Sequence, residues 1–200
     1  AEWKPSPLPK KNIGTVQQPA KPIVYIMDKK GAEQSVVFAA QLAPPKNWDD
    51  DIALDVMNTI LGGAFTSRIN MNIRENKHWS YGARTALLGA RGQRPYFAYA
   101  PVQSDKTKET MIEIKKEFED IMTTRPTTPD ELEKVKNNLI LQLPGRWETN
   151  DAIIGSLAHI VTYNLPDNYY DTYTTNIRTL SCEKITDVAK KVLLPSTLLW

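Results

Sequence analysis

The order of strand-like and helix-like segments along the chain restricts its possible folds more than any other feature of the sequence. Two pairs of segments have the β-branched and aromatic residues that are typical of strands: IVYIMD with QSVVFAAQL, and YGARTALLGA with PYFAYAPVQ. A short turn separates the members of each pair, which favours antiparallel pairing over the strand–helix alternation of a parallel sheet. The sequence therefore predicts an α+β fold, in which helices pack on one face of a mainly antiparallel sheet.

Helical periodicity occupies most of the remaining chain. Residues 48–63 carry an apolar stripe at helical spacing, with three aspartates in the first turn, where the helix dipole favours acidic side chains. Gly62 or Gly63 is expected to end that helix, since glycine is common just after the last helical residue. A second amphipathic helix is expected over residues 106–122, after the second pair of strands.

The second half of the chain contains several signals for the starts and ends of helices. Thr128, a proline at the next position and Glu131 form the pattern of a capping box. Pro144 should kink or end the helix that begins there, because proline removes a backbone donor. Residues 150–193 are predicted to form further helices.

The first 22 residues differ from the rest of the chain in composition, with five prolines, four lysines and no hydrophobic periodicity. Residues 1–22 are predicted to form an extended, semi-rigid linker. A basic arm for nucleic acid or for an anionic surface is the alternative. Residues 23–200 are predicted to form a single α+β domain. The apolar end LLPSTLLW resembles a strand that is cut short, so the chain is expected to be a piece of a longer polypeptide.

Composition argues against several functional classes. The formal net charge of +2 does not suggest a nucleic-acid surface, which usually needs a clearly basic face. A single cysteine, Cys182, allows neither an intrachain disulfide nor a cysteine metal cluster. No apolar run approaches the roughly 20 residues of a membrane helix. The two histidines, His78 and His159, form no H-E-x-x-H or H-x-x-E-H motif, so no metal site and no cofactor is expected in this chain.

One segment, GGAFTSRINMNIRENKHWSYG (residues 62–82), is rich in residues that can carry chemistry. Arg74 is predicted near the end of a short helix over about residues 65–75, and Tyr81 at the start of the next strand. The loop between them is short, so the two side chains could project from the same end of the sheet. Their N–H and hydroxyl donors suit the carbonyl oxygens of a peptide backbone or a developing oxyanion.

A structural interpretation of the same two residues stays open on spacing alone. Arg74 near a helix C-terminus would be stabilised by the helix dipole without any ligand. Tyr81 at a strand edge could equally be a core residue. The spacing therefore does not decide between substrate binding and packing.

The segment resembles the signature of the C-terminal half-domain of the pitrilysin (insulinase) family of zinc metallopeptidases, the inverzincins. That signature has a glycine-rich turn, then S-R-L and L-R-E, a short loop, and a tyrosine in the next strand. The matching residues in this chain are Gly62, Gly63, Phe65, Ser67, Arg68, Ile69, Ile73, Arg74, Glu75 and Tyr81. The order of the surrounding elements also fits, so the resemblance covers about residues 22–200.

The resemblance implies a peptidase built from two related half-domains that close around a peptide chamber. One half binds zinc through H-x-x-E-H and a distal glutamate. The other half contributes an arginine and a tyrosine that hydrogen-bond the substrate backbone near the zinc. Residue matching assigns these roles to Arg74 and Tyr81, with Tyr81 as the catalytic donor to the oxyanion. Arg68 also matches the signature, but it is interpreted as a structural residue that pairs with a carboxylate. The family also implies a bacterial exported or periplasmic setting.

Two functions follow from the resemblance. In the first, the chain is the substrate-binding C-terminal domain of a zinc-dependent endopeptidase and is inactive in isolation. Its partners would be peptide substrates and a zinc-bearing half-domain, in the same chain or in a partner chain. In the second, the chain is a non-catalytic partner or scaffold subunit of the same fold, in which Arg74 and Tyr81 serve packing or subunit contacts. No motif in the sequence supports a third interpretation, a stand-alone enzyme that acts on a small molecule.

Overall fold

An antiparallel sheet with the strand order β1–β3–β2 lies at the centre of the structure, a computed structural model that describes residues 6–9, 12 and 14–200. Within those residues, the strands are β1 Gln34–Ala43, β2 Arg84–Leu87 and β3 Arg94–Gln103. β3 pairs with both neighbours, so that Ala39 of β1 lies opposite Ala98 and Thr85 of β2 lies opposite the same residue. The predicted antiparallel sheet is confirmed, but the first predicted pair of strands does not form, because β1 pairs with β3.

Helices account for most of the remaining structure. The α-helices of the described residues are α1 Asp51–Asn58, α2 Arg68–Asn70, α3 Thr107–Asp120, α4 Pro129–Leu141, α5 Leu143–Arg146, α6 Asn150–Tyr163, α7 Tyr169–Arg178 and α8 Cys182–Val192. Two π-helical turns, Thr59–Gly63 and Met71–Asn76, continue α1 and α2 directly, and short 3-10 turns lie at Ser104–Lys106 and Pro195–Thr197.

The core lies between one face of the sheet and the helices. Val37 and Ala39 of β1 and Ala98 of β3 point to this face and are buried, because alternate residues of a strand share a side. Phe118 of α3 is fully buried against them, and α1 packs on α8 in the same layer. The predicted α+β architecture, with helices covering one face of the sheet, is confirmed.

The helix signals in the second half of the chain are confirmed at α4. The Thr128 hydroxyl accepts a hydrogen bond from the backbone N–H of Glu131 at 3.3 Å, and the Glu131 carboxylate accepts one from the N–H of Thr128 at 2.9 Å. This reciprocal pair is a capping box. α4 ends at Leu141 and the short α5 contains Pro144, so the proline ends the long helix as expected.

The aspartates at the start of α1 do more than complement the helix dipole. Asp50 forms ion pairs with lysines of α8. Asp51 is buried and pairs with Arg94 and with Lys46, whose Nζ lies 2.6 Å from the carboxylate. Burial alone would lower the pKa of Lys46, but the charges of Asp55 and Asp51 outweigh it and the pKa is raised. This ion network joins α1 to the start of β3.

The prediction that Gly62 or Gly63 ends the helix is confirmed, because the helical path closes with the π-helical turn Thr59–Gly63 and Ala64 is extended. Gly62 has a second role: a Cβ placed there would lie 2.4 Å from the backbone nitrogen of Thr85. The glycine therefore allows the end of the helix to approach β2 closely.

The prediction of a strand over residues 23–28 is wrong. Within this range, only Ile23 forms a β-bridge, with Leu199, and residues 24–28 belong to no strand. Tyr25 and Met27 are 74% and 96% exposed. A strand exists only where a neighbouring segment supplies hydrogen bonds. The last backbone hydrogen bond of this segment in the described structure runs from the N–H of Tyr25 to the carbonyl of Trp200.

The predicted linker over residues 1–22 falls partly outside the described residues, since 1–5, 10, 11 and 13 are not described. The described part contains no helix or strand. Val16 exchanges two hydrogen bonds of 2.9 Å with the side chain of Gln93. The side chain of Gln18 binds the N–H of Leu42 at 2.9 Å and the carbonyl of Thr197 at 2.7 Å. The division at residue 22 stays a prediction.

Candidate functional site

The segment from Gly62 to Gly82 is fixed to the body of the structure by a buried asparagine. The side chain of Asn70, in α2, donates to the carbonyl of Phe65 at 2.6 Å and accepts from the N–H of Ala83 at 3.0 Å. One side chain therefore connects the turn before the short helix to the chain that enters β2. Because Asn70 is buried, these bonds are shielded from water.

Arg68 begins the short helix and belongs to the structural frame. Its guanidinium donates to both carboxylate oxygens of Glu131, at 2.7 and 2.6 Å. It also donates to the backbone carbonyls of Arg125 and Pro126. Such bidentate geometry is the strongest form of the arginine–carboxylate pair. The prediction that Arg68 pairs with a carboxylate is confirmed, and the pair joins the motif to the first turn of α4.

Arg74 lies in the π-helical turn Met71–Asn76 that follows α2, close to its end. Its guanidinium stacks over the ring of Phe65 at 4.5 Å, and its Nε lies 3.2 Å from a carboxylate oxygen of Glu75. The side chain is 35% exposed. The ring and the carboxylate orient the guanidinium.

The loop after this turn is held at the far end of β3. The N–H of Trp79 donates to the carbonyl of Ile73 at 3.1 Å, and its own carbonyl accepts from the N–H of Gln103 at 3.1 Å. The hydroxyl of Ser80 donates to the carbonyl of Pro101. His78 has a left-handed φ of 56°, a conformation in which histidine is enriched among non-glycine residues. The loop backbone is therefore well defined.

Tyr81 lies in this loop and not at the start of a strand, as the sequence predicted. β2 begins only at Arg84, because Ser80 and Gly82 form a turn in which the Gly82 N–H donates to the Ser80 hydroxyl at 3.0 Å. The side chain of Tyr81 is 88% exposed. The structure thus combines an anchored backbone with a phenol that projects freely into solvent.

Arg74 and Tyr81 line one open cavity of about 590 Å³. The complete lining is Glu33, Gln34, Arg74, Glu75, His78, Trp79, Ser80, Tyr81 and Gln103. The cavity combines guanidinium and phenol donors with two carboxylates and two amides, a set that can satisfy both the C=O and the N–H groups of an extended peptide. Sequence reasoning found Arg74 and Tyr81 but missed Glu33, Gln34 and Gln103, which only the pairing of β1 with β3 brings to this place.

Of the other residues considered from sequence, His78 is part of this lining, whereas His159 and Cys182 lie outside it. His159 lies in a different cavity, with its Nδ1 3.3 Å from the hydroxyl of Tyr170, and burial lowers its pKa. Cys182 is half-buried at the start of α8. Among the residues that the structure describes, no three histidine, cysteine, aspartate or glutamate side chains are arranged to hold a metal ion. Within the same residues, no helix has both the length and the apolar character that a membrane crossing needs.

Two solved structures share this fold. The first is a peptidase M16 inactive domain from Pseudomonas fluorescens, with a TM-score of 0.79 and 22% identity, covering 94% of this chain and 45% of that one. The second is a protease from Helicobacter pylori, with a TM-score of 0.81 and 18% identity, covering 90% of this chain and 43% of that one. The chain thus spans less than half the length of either protein.

Sequence comparison gives the family. An uncharacterized zinc protease of Mycobacterium leprae is 36% identical over 61 residues, which are 30% of this chain and 14% of that protein. The family model described as the peptidase M16 inactive domain matches residues 1–139, a range that contains the whole of the Gly62–Gly82 segment. The chain therefore belongs to the family of peptidase M16 inactive domains, the non-metal-binding half-domains of zinc-protease-like proteins.

Proposed function

We propose that this chain is the substrate-binding C-terminal domain of a zinc-dependent endopeptidase. The observation that carries the proposal is the shared cavity of Arg74 and Tyr81, two exposed donors on an anchored backbone. Membership of an inactive-domain family supports a role that does not require hydrolysis by this chain alone.

The donors suit a peptide backbone in a definite way. The Tyr81 phenol would donate to the carbonyl oxygen of the scissile bond as that oxygen gains negative charge. A donor aimed at a developing oxyanion stabilises the transition state more than the ground state, which is the requirement for catalysis. Arg74 would hold a neighbouring carbonyl, with its guanidinium plane already set by Phe65 and Glu75.

Zinc has no place among the described residues of this chain, whose acidic and histidine side chains do not form a ligand set. In the proposal, the metal belongs to a second half-domain, either in the same polypeptide or in a partner chain. The solved relatives have room for such a half, because this chain covers only 45% and 43% of their lengths.

A non-catalytic partner or scaffold subunit is the second candidate. It is favoured by one observation: Arg74 already has two intramolecular partners, Glu75 and Phe65, so a purely structural role would explain its position. The same account does not explain Tyr81, whose side chain is 88% exposed.

A cleavage assay on the intact native protein that contains this chain separates the two candidates. A mixed pool of unstructured peptides is incubated with the protein, with and without a zinc chelator. The endopeptidase proposal expects cleavage that the chelator abolishes and added zinc restores. No cleavage under any condition, from protein shown to be folded and zinc-loaded, would favour the non-catalytic subunit.

A further inference from the structure

A second open cavity, of about 520 Å³, lies between α1, α6 and α7. It shares no lining residue with the cavity of Arg74 and Tyr81. Its volume is within the range of small-molecule sites, which are concave, largely apolar and aromatic, and carry a few converging polar groups. A ligand of this cavity would therefore be distinct from the peptide of the proposed function.

Four aromatic rings form one wall of this cavity: Tyr169, Tyr170 and Tyr173 of α7, and His159 of α6. The Tyr169 ring lies edge-on to that of Tyr170, with centroids 5.1 Å apart, and 5.8 Å from that of Tyr173. The His159 ring lies 5.8 Å from that of Tyr169, and its Nδ1 is 3.3 Å from the Tyr170 hydroxyl. These contacts hold the rings against one another, so the wall is formed before a ligand arrives.

Two phenol hydroxyls of this wall lack a partner in the described part of the chain. Tyr173 is only 7% exposed, yet neither its hydroxyl nor that of Tyr169 makes a hydrogen bond with a described residue. The large majority of buried polar groups have a partner. Burial raises the pKa of each phenol, so both stay protonated at neutral pH and can donate. Because both side chains line the cavity, an acceptor inside it would satisfy them.

The charges around the cavity favour an anion as that acceptor. The Lys46 Nζ lies 2.6 Å from a carboxylate oxygen of Asp51 and 2.7 Å from one of Asp55. Asp51 also pairs with Arg94, so these four charges cancel. Arg146 of α5 lines the same cavity and forms no ion pair with a described residue. Its guanidinium therefore leaves a positive charge at the cavity, which attracts an anion and repels a cation.

We propose that this cavity binds a small aromatic carboxylate. Arg146 pairs with the carboxylate through two parallel N–H donors, the strongest geometry for such a pair. The Tyr169 and Tyr173 hydroxyls donate to the same carboxylate, and the ring of the ligand packs against the tyrosine rings. This inference does not depend on the proposed function, because the two cavities share no residue.

Isothermal titration calorimetry on the intact protein that contains this chain tests the proposal with probes of one shape and different charge. The anion is phenylpropionate, the neutral probe is phenylpropionamide and the cation is phenylpropylamine. The proposal expects one saturable site for the anion, with an affinity at least about 10-fold higher than for the other probes, because only the anion forms the charge-assisted pair. Equal affinity for the three probes, or no saturable binding of the anion, would overturn the proposal.

Two variants locate the site. Arg146→Gln should weaken the binding of phenylpropionate by about 10- to 100-fold, and Tyr173→Phe by about 10-fold. Tyr173→Phe should unfold at the same urea concentration as wild type, because its hydroxyl has no partner to lose in the described part of the chain. Arg178→Gln is the matched control, since this exposed arginine ends α7 outside the cavity, and it should bind as wild type does. Equal weakening in Arg178→Gln and Arg146→Gln would contradict the proposal.

The C-terminus of a peptide could supply the same chemistry as a free acid, and one further probe separates the two sources. Acetyl-alanyl-phenylalanine presents a phenyl ring and a carboxylate on a larger body. The proposal expects it to bind no more tightly than phenylpropionate. Tighter binding of this dipeptide, lost when its C-terminus is amidated, would assign the cavity to a peptide end and contradict the proposal.

Discussion

Arg68 and Arg74 lie on the same short helical segment, and the fold uses them in opposite ways. The side chain of Arg68 is 7% exposed and both carboxylate oxygens of Glu131 receive its donors. The side chain of Arg74 is 35% exposed, and its ion pair with Glu75 is a single contact of 3.2 Å. The fold therefore engages the Arg68 guanidinium in several buried hydrogen bonds, whereas the Arg74 guanidinium is oriented by one ion pair and one ring and stays partly exposed.

Under the proposed function, the two arginines divide the roles of one motif between stability and substrate binding. Arg68 points inward, where α4 supplies its partners, and this contact holds the segment in place. Arg74 and Tyr81 lie further along the same segment, on the side that opens into a cavity of about 590 Å³. The proposed function therefore predicts that inward residues control unfolding and outward residues control substrate turnover.

Under the proposed endopeptidase function, the largest effect is expected at the outward side, for Tyr81→Phe in the intact protein that contains this chain. Loss of one donor to a developing oxyanion costs about 2.7–4 kcal/mol, so turnover should fall by a factor of about 10²–10³. The free energy of unfolding should change by less than about 0.5 kcal/mol, because the side chain is exposed. Steady-state kinetics and urea unfolding measure the two quantities.

Tyr25→Phe is the matched control for this variant, since Tyr25 is also exposed but lies outside the cavity. It should cleave peptides at the wild-type rate. Wild-type turnover in Tyr81→Phe would show that the phenol is not a catalytic donor.

The next effect is expected at the inward side, for Arg68→Ala. Removal of this guanidinium leaves a partly buried carboxylate and two carbonyls without their donor, and should cost about 3 kcal/mol of unfolding free energy. Arg74→Ala is the matched control, and its half-exposed ion pair should cost less than about 1 kcal/mol. Comparable losses in the two variants would remove the distinction between them.

A smaller effect is expected for Asn70→Ala, because Asn70 anchors the Gly62–Gly82 segment but does not itself line the cavity of Arg74 and Tyr81. The carbonyl of Phe65 and the N–H of Ala83 would lose their partner, at a cost of about 1–3 kcal/mol in unfolding free energy. Asn76→Ala, at the exposed end of the same segment, should change stability by less than about 0.5 kcal/mol. An unfolding free energy equal to wild type in Asn70→Ala would show that these two hydrogen bonds do not stabilise the segment.

The smallest effect concerns acid stability and the pKa of Glu131. Burial alone would raise this pKa, but the hydrogen bonds from Arg68 and Thr128 outweigh it and lower it below its ordinary value of 4.5. The ionised pair therefore stabilises the fold above about pH 4.5, and this stability is lost as the pH falls through the lowered value in the folded state. Unfolding of Arg68→Ala between pH 3 and 6 should show a weaker loss on acidification than wild type, and an unchanged profile would contradict the pairing.

Sequence reasoning succeeded where a local pattern or a forced chemical partnership decides the structure. The capping box at Thr128 and the helix end at Pro144 depend on neighbours a few residues away. The pairing of Arg68 with a carboxylate follows from the cost of burying an unpaired charge, although the identity of Glu131 does not. The family resemblance supplied the proposed roles of Arg74 and Tyr81, which spacing alone could not assign and which stay predictions.

The predictions that failed concern positions whose structure depends on a segment distant in sequence. Residues 23–28 have strand composition, but a strand forms only where a neighbour extends, and Trp200 pairs only with the first part of this segment. The close approach of Gly62 to Thr85 was missed, because no local pattern in the sequence shows it. Glu33, Gln34 and Gln103 join the site through the pairing of β1 with β3, so no local signal could have found them.

The most direct test of the central claim is to observe Tyr81 while a peptide binds. The intact protein is labelled with ¹³C in its tyrosine rings, treated with a chelator so that no cleavage occurs, and titrated with an unstructured peptide. The Tyr81 ring resonance, assigned from its absence in Tyr81→Phe, should shift with saturation, while that of Tyr170 in the separate cavity stays in place. Saturable peptide binding that leaves the Tyr81 resonance unmoved would contradict the account.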